Sequence, residues 1–174
     1  KENIAISTVR AGNVIGGGDW SIDRIVPDFY KCLKNNKELK IRMPNSTRPW
    51  QHVLEPLWGY LILANKQYSN PKKFSGSWNF GPNKSKSVIE LVNNLNSKCG
   101  NAVKLNINKS NIYNETKLLK LNSKKSNHYL GWKQKLNFNK TVEFTSNWYL
   151  NSIKKSDIEL LNFSIGQIQE YLDL

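Results

Sequence analysis

An α/β fold with parallel strands is what this sequence predicts, and three features predict it. The run Ile4-Ala5-Ile6-Ser7-Thr8-Val9 is apolar almost throughout, as suits a central strand buried on both faces. Ser77-Trp78-Asn79-Phe80-Gly81 forms a second such strand, and the capping box Ser87-Val88-Ile89-Glu90 soon starts a helix, giving the strand-then-helix alternation of α/β proteins. The 174 residues include 39% hydrophobic side chains, with six Trp, six Phe and seven Tyr, enough for one aromatic-rich core and against intrinsic disorder.

The elements follow in order. After the first strand, Arg10-Ala11-Gly12-Asn13-Val14-Ile15 leads into Gly16-Gly17-Gly18-Asp19-Trp20, a turn or a loop pressed close to a ligand. This cluster is not a G-x-G-x-x-G fingerprint. Ile25, Phe29, Cys32 and Leu33 recur at helical spacing over about Ile25 to Asn35, and Leu39 to Arg42 reads as a short strand. A second helix starts near Glu55-Pro56, with proline in its first turn and an acid at its positive end, and runs to about Tyr68. Gly100 stops the helix that begins at Ser87. Short strands are expected at Val103 to Ile107 and Leu118 to Leu121, with a polar loop at Asn108 to Glu115 between them. Ser123 caps a brief helix ending at Leu130-Gly131-Trp132, Asn139 caps a helix carrying Val142, Trp148 and Tyr149, and Ser164 with Gln167 reads as a capping box for the terminal helix.

Charge and cysteine content narrow the function. The net charge is +13, with 26 Lys and Arg against 13 Asp and Glu, so nucleic acid is weighed as a partner; but the lysines are dispersed among many asparagines, and a solvated surface accounts for them. No run nears the roughly 20 apolar residues of a membrane span, and KENIAISTVR lacks the layout of a signal peptide, so a soluble, cytoplasmic protein is expected, bound neither to nucleic acid nor to a membrane. Cys32 and Cys99 have no second thiol or His at metal-ligand spacing and read as free, buried cysteines, with no metal site. His128 reads as a surface residue and His52 as a packing residue. No nucleophile elbow, H-E-x-x-H, C-x-x-C or phosphate-cradling loop with its lysine is present, so no catalytic residue is assigned.

The arginines are the outstanding feature. Arg10, Arg24, Arg42 and Arg48 are all the chain has, and all fall in its first third. Guanidinium is suited to gripping two oxygens at once, so a pyrophosphate or similar anion held near Asn13 and the glycines is one reading. Salt bridges to Asp19, Asp23, Asp28 or Glu55 are the other.

Three stretches, Val9 to Trp20, Arg24-Ile25-Val26-Pro27-Asp28 and Arg48-Pro49-Trp50-Gln51-His52-Val53-Leu54-Glu55-Pro56-Leu57, resemble the second half of the CDP-glucose 4,6-dehydratases, a subfamily of the extended short-chain dehydrogenase/reductases. Asn79-Phe80-Gly81-Pro82-Asn83, Leu130-Gly131-Trp132 and Trp148-Tyr149-Leu150 extend the match. Sister enzymes carry R-D-W or R-D-F and V-x-D where this chain has Arg-Pro-Trp and Val-Leu-Glu-Pro. The resemblance implies the C-terminal part of a Rossmann-type parallel sheet plus a smaller substrate-binding lobe, in one unit spanning residues 1–174. It implies NAD as cofactor, a CDP-sugar as substrate, and a reaction giving a CDP-4-keto-6-deoxy sugar, as in deoxysugar and O-antigen biosynthesis. The dinucleotide-binding half with the catalytic Tyr and Lys is then absent from this sequence, and that half, together with further copies in a homo-oligomer, would be its partner. Carried over by position, Asn13, Arg24 and Arg48 should hold the pyrophosphate, Arg42 should lie near the nucleoside, Glu115 near the nucleotide, and Ala11 and Gly12 beside the nicotinamide. Asn114 stands where His is usual, and Asn122 where Asp is usual.

Overall fold

The structure, a computed structural model, describes residues 4–107 and 119–174. Strand β1 (Ser7–Ala11) leads through Gly12 into β2 (Asn13–Ile15), and the glycine loop precedes helix α1 (Ile25–Lys34). There follow β3 (Leu39–Ile41), β4 (Thr47–Arg48), β5 (Trp50–His52), α2 (Leu54–Ser69), α3 (Pro71–Phe74), β6 (Gly76–Phe80), β7 (Lys86–Ser87), α4 (Val88–Lys98) and β8 (Leu105–Ile107). Three helices complete the chain: α5 (Lys124–Leu130), α6 (Phe138–Ser152) and α7 (Asp157–Leu172).

Among the described residues the strands pair two by two. β1 with β6, β2 with β5 and β3 with β8 are parallel, while β4 with β7 is antiparallel. The α/β class and the parallel sense match expectation. The first strand does not begin where its apolar run begins: pairing starts at Ser7, and Ile4 and Ile6 stay 73% and 69% exposed. Among the described residues β1 is bonded only to β6, which leaves the apolar run without the cover of a central strand.

Local chemistry explains the helices. Ser87 and Glu90 form the anticipated reciprocal box, with Glu90 N–H donating to Ser87 Oγ and Ser87 N–H to Glu90 Oε2 at 2.8 Å. Gly131 ends α5 at φ +69°, a conformation cheap only for glycine. Ser123 does not cap α5 by its side chain; its hydroxyl bridges instead to both the N–H and the carbonyl of Gly81. The cap of α6 is Asn137, whose side chain accepts from Lys140 N–H, and not Asn139. The box of α7 is Ser156 with Glu159, and Ser164 and Gln167 lie mid-helix facing inward. Leu119 to Leu121 are not in a strand, and Leu118 and Asn108 to Glu115 fall outside the described residues. The two cysteines are free but half-buried, Cys32 inside α1 and Cys99 at the end of α4.

The main core lies between α1, β3, α4 and α6, where Phe29, Leu91 and Leu95 are fully buried and Tyr30 stacks on Tyr149 with centroids 4.1 Å apart. A second cluster joins α2 and α5 across β6 through Leu63, Trp78, Phe80 and Trp132. The third, Leu136, Phe144 and Tyr171, ties α7 to the rest. At its edge sits Glu55, with no exposed surface. Its carboxylate accepts from Lys135 N–H at 3.0 Å, Leu136 N–H at 2.6 Å and Tyr171 O–H at 3.1 Å. Burial raises its pKa and these bonds oppose the rise. His52 is likewise buried, edge-on to Phe144, its Nδ1 facing Leu54 N–H at 3.4 Å. Burial draws its imidazole down from 6.5 to about 4.

Two outcomes follow from these buried groups. Glu55→Ala strands two backbone N–H groups and a phenol, and should lower the unfolding free energy by about 2–4 kcal/mol in a urea titration, against about 1 kcal/mol for Tyr171→Phe. Because the unfolded chain protonates His52 near pH 6.5 and the folded chain only near pH 4, its contribution is intact above 6.5 and falls away as pH drops toward 4, by at most about 3 kcal/mol. The difference in unfolding free energy between the protein and its His52→Leu variant should therefore shrink between pH 7 and pH 4.5; a constant difference would contradict this.

Candidate functional site

The short β2–β5 pair sets the site. Its register places Asn13 opposite Trp50 and Ile15 opposite His52, so the segment leaving β1 and the segment after Arg48 run side by side. Gly12 allows this approach: a Cβ there would come within 2.6 Å of the Pro49 carbonyl oxygen. Beyond Ile15 the glycines let the chain slide beneath α6, since a methyl on Gly17 would overlap the Trp148 ring and Gly18 turns the backbone at φ +82°. What presses on the loop is thus the protein's own tryptophan. Tyr149 then donates its hydroxyl to the Asp19 carbonyl and meets Trp20 edge-on at 5.1 Å, fastening the loop's far end.

Between this loop, α1 and β4 opens a cleft of about 250 Å³ whose walls include Asn13, Asp19, Arg24, Arg48, Trp50 and Tyr149. Asn13, Arg24 and Arg48, separated by up to 35 positions in sequence, all line this cleft. Arg24 is the N-cap residue of α1, and its guanidinium stands 4.0 Å from Asp19 Oδ2. Interaction with the Ser21 side chain leads the causes that hold the Asp19 carboxyl below its usual range, and the Ser21 N–H, which donates to Asp19 Oδ1, lowers it further. Arg48 lies half-buried on β4 and donates to the Thr47 carbonyl at 3.0 Å. Trp50 is fixed by its indole N–H on the Lys86 carbonyl at 3.0 Å.

Arg42 is not in this cleft. It faces a second cavity of about 310 Å³ that shares the walls Asp23, Ile25 and Val88 with the first, and it pairs with Asp23 at 2.6 Å. Arg24 and Arg42 thus line cavities and also face aspartates, as the salt-bridge reading of the arginines has it. Ala11 and Gly12 lie at the carboxyl end of β1, outside the walls of both cavities, with Gly12 N–H on the Phe80 carbonyl at 3.1 Å. Arg10 sits opposite Asn79 in the β1–β6 pair. Glu115 falls outside the described residues. Sequence reasoning missed Asp19, Trp50 and Tyr149 as walls and Asp28 in the second cavity; Tyr149 in particular reaches the site from 130 positions beyond Asp19 and leaves no local trace.

Among the described residues no group of His, Cys, Asp and Glu could hold a metal ion, and no helix is long and apolar enough to cross a membrane. No protein-family model matches the chain. Over 99% of its length it is 38% identical to the CDP-glucose 4,6-dehydratase of Salmonella typhimurium, and it spans about half, 48%, of that relative. Solved structures of similar fold include an epimerase from Methanothermobacter thermautotrophicus (19% identity, TM-score 0.75, 87% of this chain and 45% of that one) and the UDP-glucuronic acid 4-epimerase of Bacillus cereus in complex with UDP-glucuronic acid and NAD (18%, 0.72, 86% and 46%). A third is the dTDP-glucose 4,6-dehydratase of Bacillus anthracis in complex with NAD (17%, 0.67, 83% and 44%). In sequence the chain is thus similar to a CDP-glucose 4,6-dehydratase over about half of that enzyme's length, and it shares its α/β fold with about half of each of these epimerase and dehydratase structures.

Proposed function

We propose that this chain is the C-terminal, mainly substrate-binding portion of an NAD-dependent enzyme that converts CDP-glucose to CDP-4-keto-6-deoxyglucose and water. The observation that carries the reading is the convergence of Asn13, Arg24 and Arg48 on one cleft, an amide and two guanidiniums suited to the two phosphates of an activated sugar. The 38% identity to a CDP-glucose 4,6-dehydratase over 99% of the chain supports the choice of substrate.

The chain's own groups have definite tasks in this scheme. Arg48, half-buried on its strand, neutralises phosphate charge from one wall; Arg24 does so from the mouth of the cleft, where its 4.0 Å pair with Asp19 is long enough for a phosphate oxygen to compete. Asn13 donates its amide to the bridging region, and Trp50 with Tyr149 forms an aromatic wall that limits water. Arg42, in the adjoining cavity, lies toward the nucleoside. NAD, when bound, would supply the hydride acceptor at sugar carbon 4 and the donor at carbon 6, water being lost across carbons 5 and 6. The residues offered to it here are Ala11 and Gly12 at the carboxyl end of a parallel pair, where ligands of such sheets collect; the methyl of Ala11 and the bare Cα of Gly12 leave the backbone approachable, though the space over Gly12 is shared with Pro49. The catalytic Tyr and Lys belong in this scheme to a dinucleotide-binding half, which would also add a strand to the open side of β1 and cover the exposed Ile4, Ile6 and Val9.

In the intact enzyme Arg48→Ala should weaken CDP-sugar binding at least about tenfold, since truncating one partner of a hydrogen-bonded charge pair costs about 2–5 kcal/mol. Bound NAD should be retained. Calorimetric titration with CDP-glucose checks this, and an unchanged dissociation constant would overturn the assignment.

A further inference from the structure

We propose that Asp28 reads the base of the nucleotide, accepting a hydrogen bond from the exocyclic amino group of a cytosine seated in the second cavity. The inference rests on the reading of the first cleft as the diphosphate site.

Three observations carry it. The first is continuity: the two cavities share Asp23, Ile25 and Val88, so a nucleoside attached to a diphosphate in the first has the second as its adjoining space. The first turn of α1 spans both. Arg24, its N-cap residue, lines the first cavity, and Asp28, whose N–H donates to the Arg24 carbonyl at 2.9 Å, lines the second one turn further on, about 5.4 Å along the axis. The second is composition. Ile25, Leu39, Ile41 and Met43 offer apolar surface to a flat ring, while the polar groups reduce to two acids and two bases.

The third observation separates those polar groups. Asp23 and Arg42 engage each other at 2.6 Å, with side chains 73% and 53% exposed at the rim. Asp28 is the sheltered acid: its side chain is 34% exposed, its partner Lys31 stands at 3.9 Å, beyond hydrogen-bond reach, and among the described residues none donates a hydrogen bond to its carboxylate. It is thus available as an acceptor in partly dry surroundings, and desolvation is the leading cause raising its pKa. Cytosine presents an amino donor at the position where uracil and thymine present a carbonyl oxygen. A carboxylate bonds the first and repels the second, so the same side chain both selects and excludes.

The test uses the intact enzyme with its NAD bound and titrates CDP, UDP and dTDP calorimetrically into the wild type, Asp28→Asn and Asp28→Leu. The wild type should prefer CDP to UDP and dTDP by at least about tenfold. Asp28→Asn, whose amide can turn its NH₂ toward a carbonyl, should bring the CDP to UDP ratio close to one, and Asp28→Leu should lose CDP affinity without gaining UDP. Circular dichroism of each variant establishes that it is folded. A wild-type preference that survives in Asp28→Asn overturns the proposal, as does a wild type that binds CDP and UDP equally. A wild type that binds none of the three, or an Arg48→Ala variant that binds all three as well as the wild type does, instead removes the diphosphate reading beneath it.

Discussion

Three residues of parallel pairing, Asn13–Ile15 against Trp50–His52, decide where the candidate ligand-binding groups stand. The pair is short, yet it joins the chain leaving β1 to the chain leaving β4, and so brings Asn13 and Arg48 to one cleft although 35 positions separate them. It holds because both flanks are built for it. Gly12 lets the Pro49 carbonyl approach, Ile15 and Trp50 are buried in the main core, and His52 is sealed against Phe144. Gln51, on the opposite face, donates to the Phe80 carbonyl at 2.8 Å and so ties this pair to the β1–β6 pair. A ribbon with so few ladder bonds draws its stability from packing more than from pairing.

The buried polar groups have the same logic. Glu55 and His52 lie within four residues of each other at the start of α2, one supplied with three donors against the burial that raises its pKa, the other with its imidazole drawn down by burial. Glu55 fastens the segment before α6 and the end of α7, while His52 packs beside α6. The positive charge of the chain plays no visible part in this. Its lysines are spread over the surface, whereas the four arginines are confined to the segment that builds the two cavities and the strand leading to it.

Much of the fold was legible where local chemistry decides it. The Ser87–Glu90 box, the Gly131 stop, the start of α2 at Glu55-Pro56 and the strand ending at Phe80 each depend on neighbours within a few residues. The strands β2, β4, β5 and β7 were not legible, because two or three residues carry no periodicity and their partners lie 37 to 40 positions away. Ser164 and Gln167 misled for a related reason: their spacing imitates a cap, but their side chains serve tertiary contacts, Ser164 accepting the Trp148 indole N–H and Gln167 donating to the Phe144 carbonyl. The apolar run at Ile4 to Val9 reads as a strand to be buried, and with only β6 paired to it among the described residues its apolar side chains stay exposed. Of the cavity walls, Asn13, Arg24 and Arg48 stand out in the sequence by residue type; Trp50 and Tyr149 do not, being brought to the first cleft by long-range assembly.

The contact of Gly17 with Trp148 reaches further than the loop itself. That indole is clamped on its other side by Ser164, so the glycine loop beside the first cleft is mechanically in series with α7. Loosening α7 would free the tryptophan and slacken the glycine segment without altering one residue of the cleft. Damage confined to α7 would then masquerade as a change in the cleft itself.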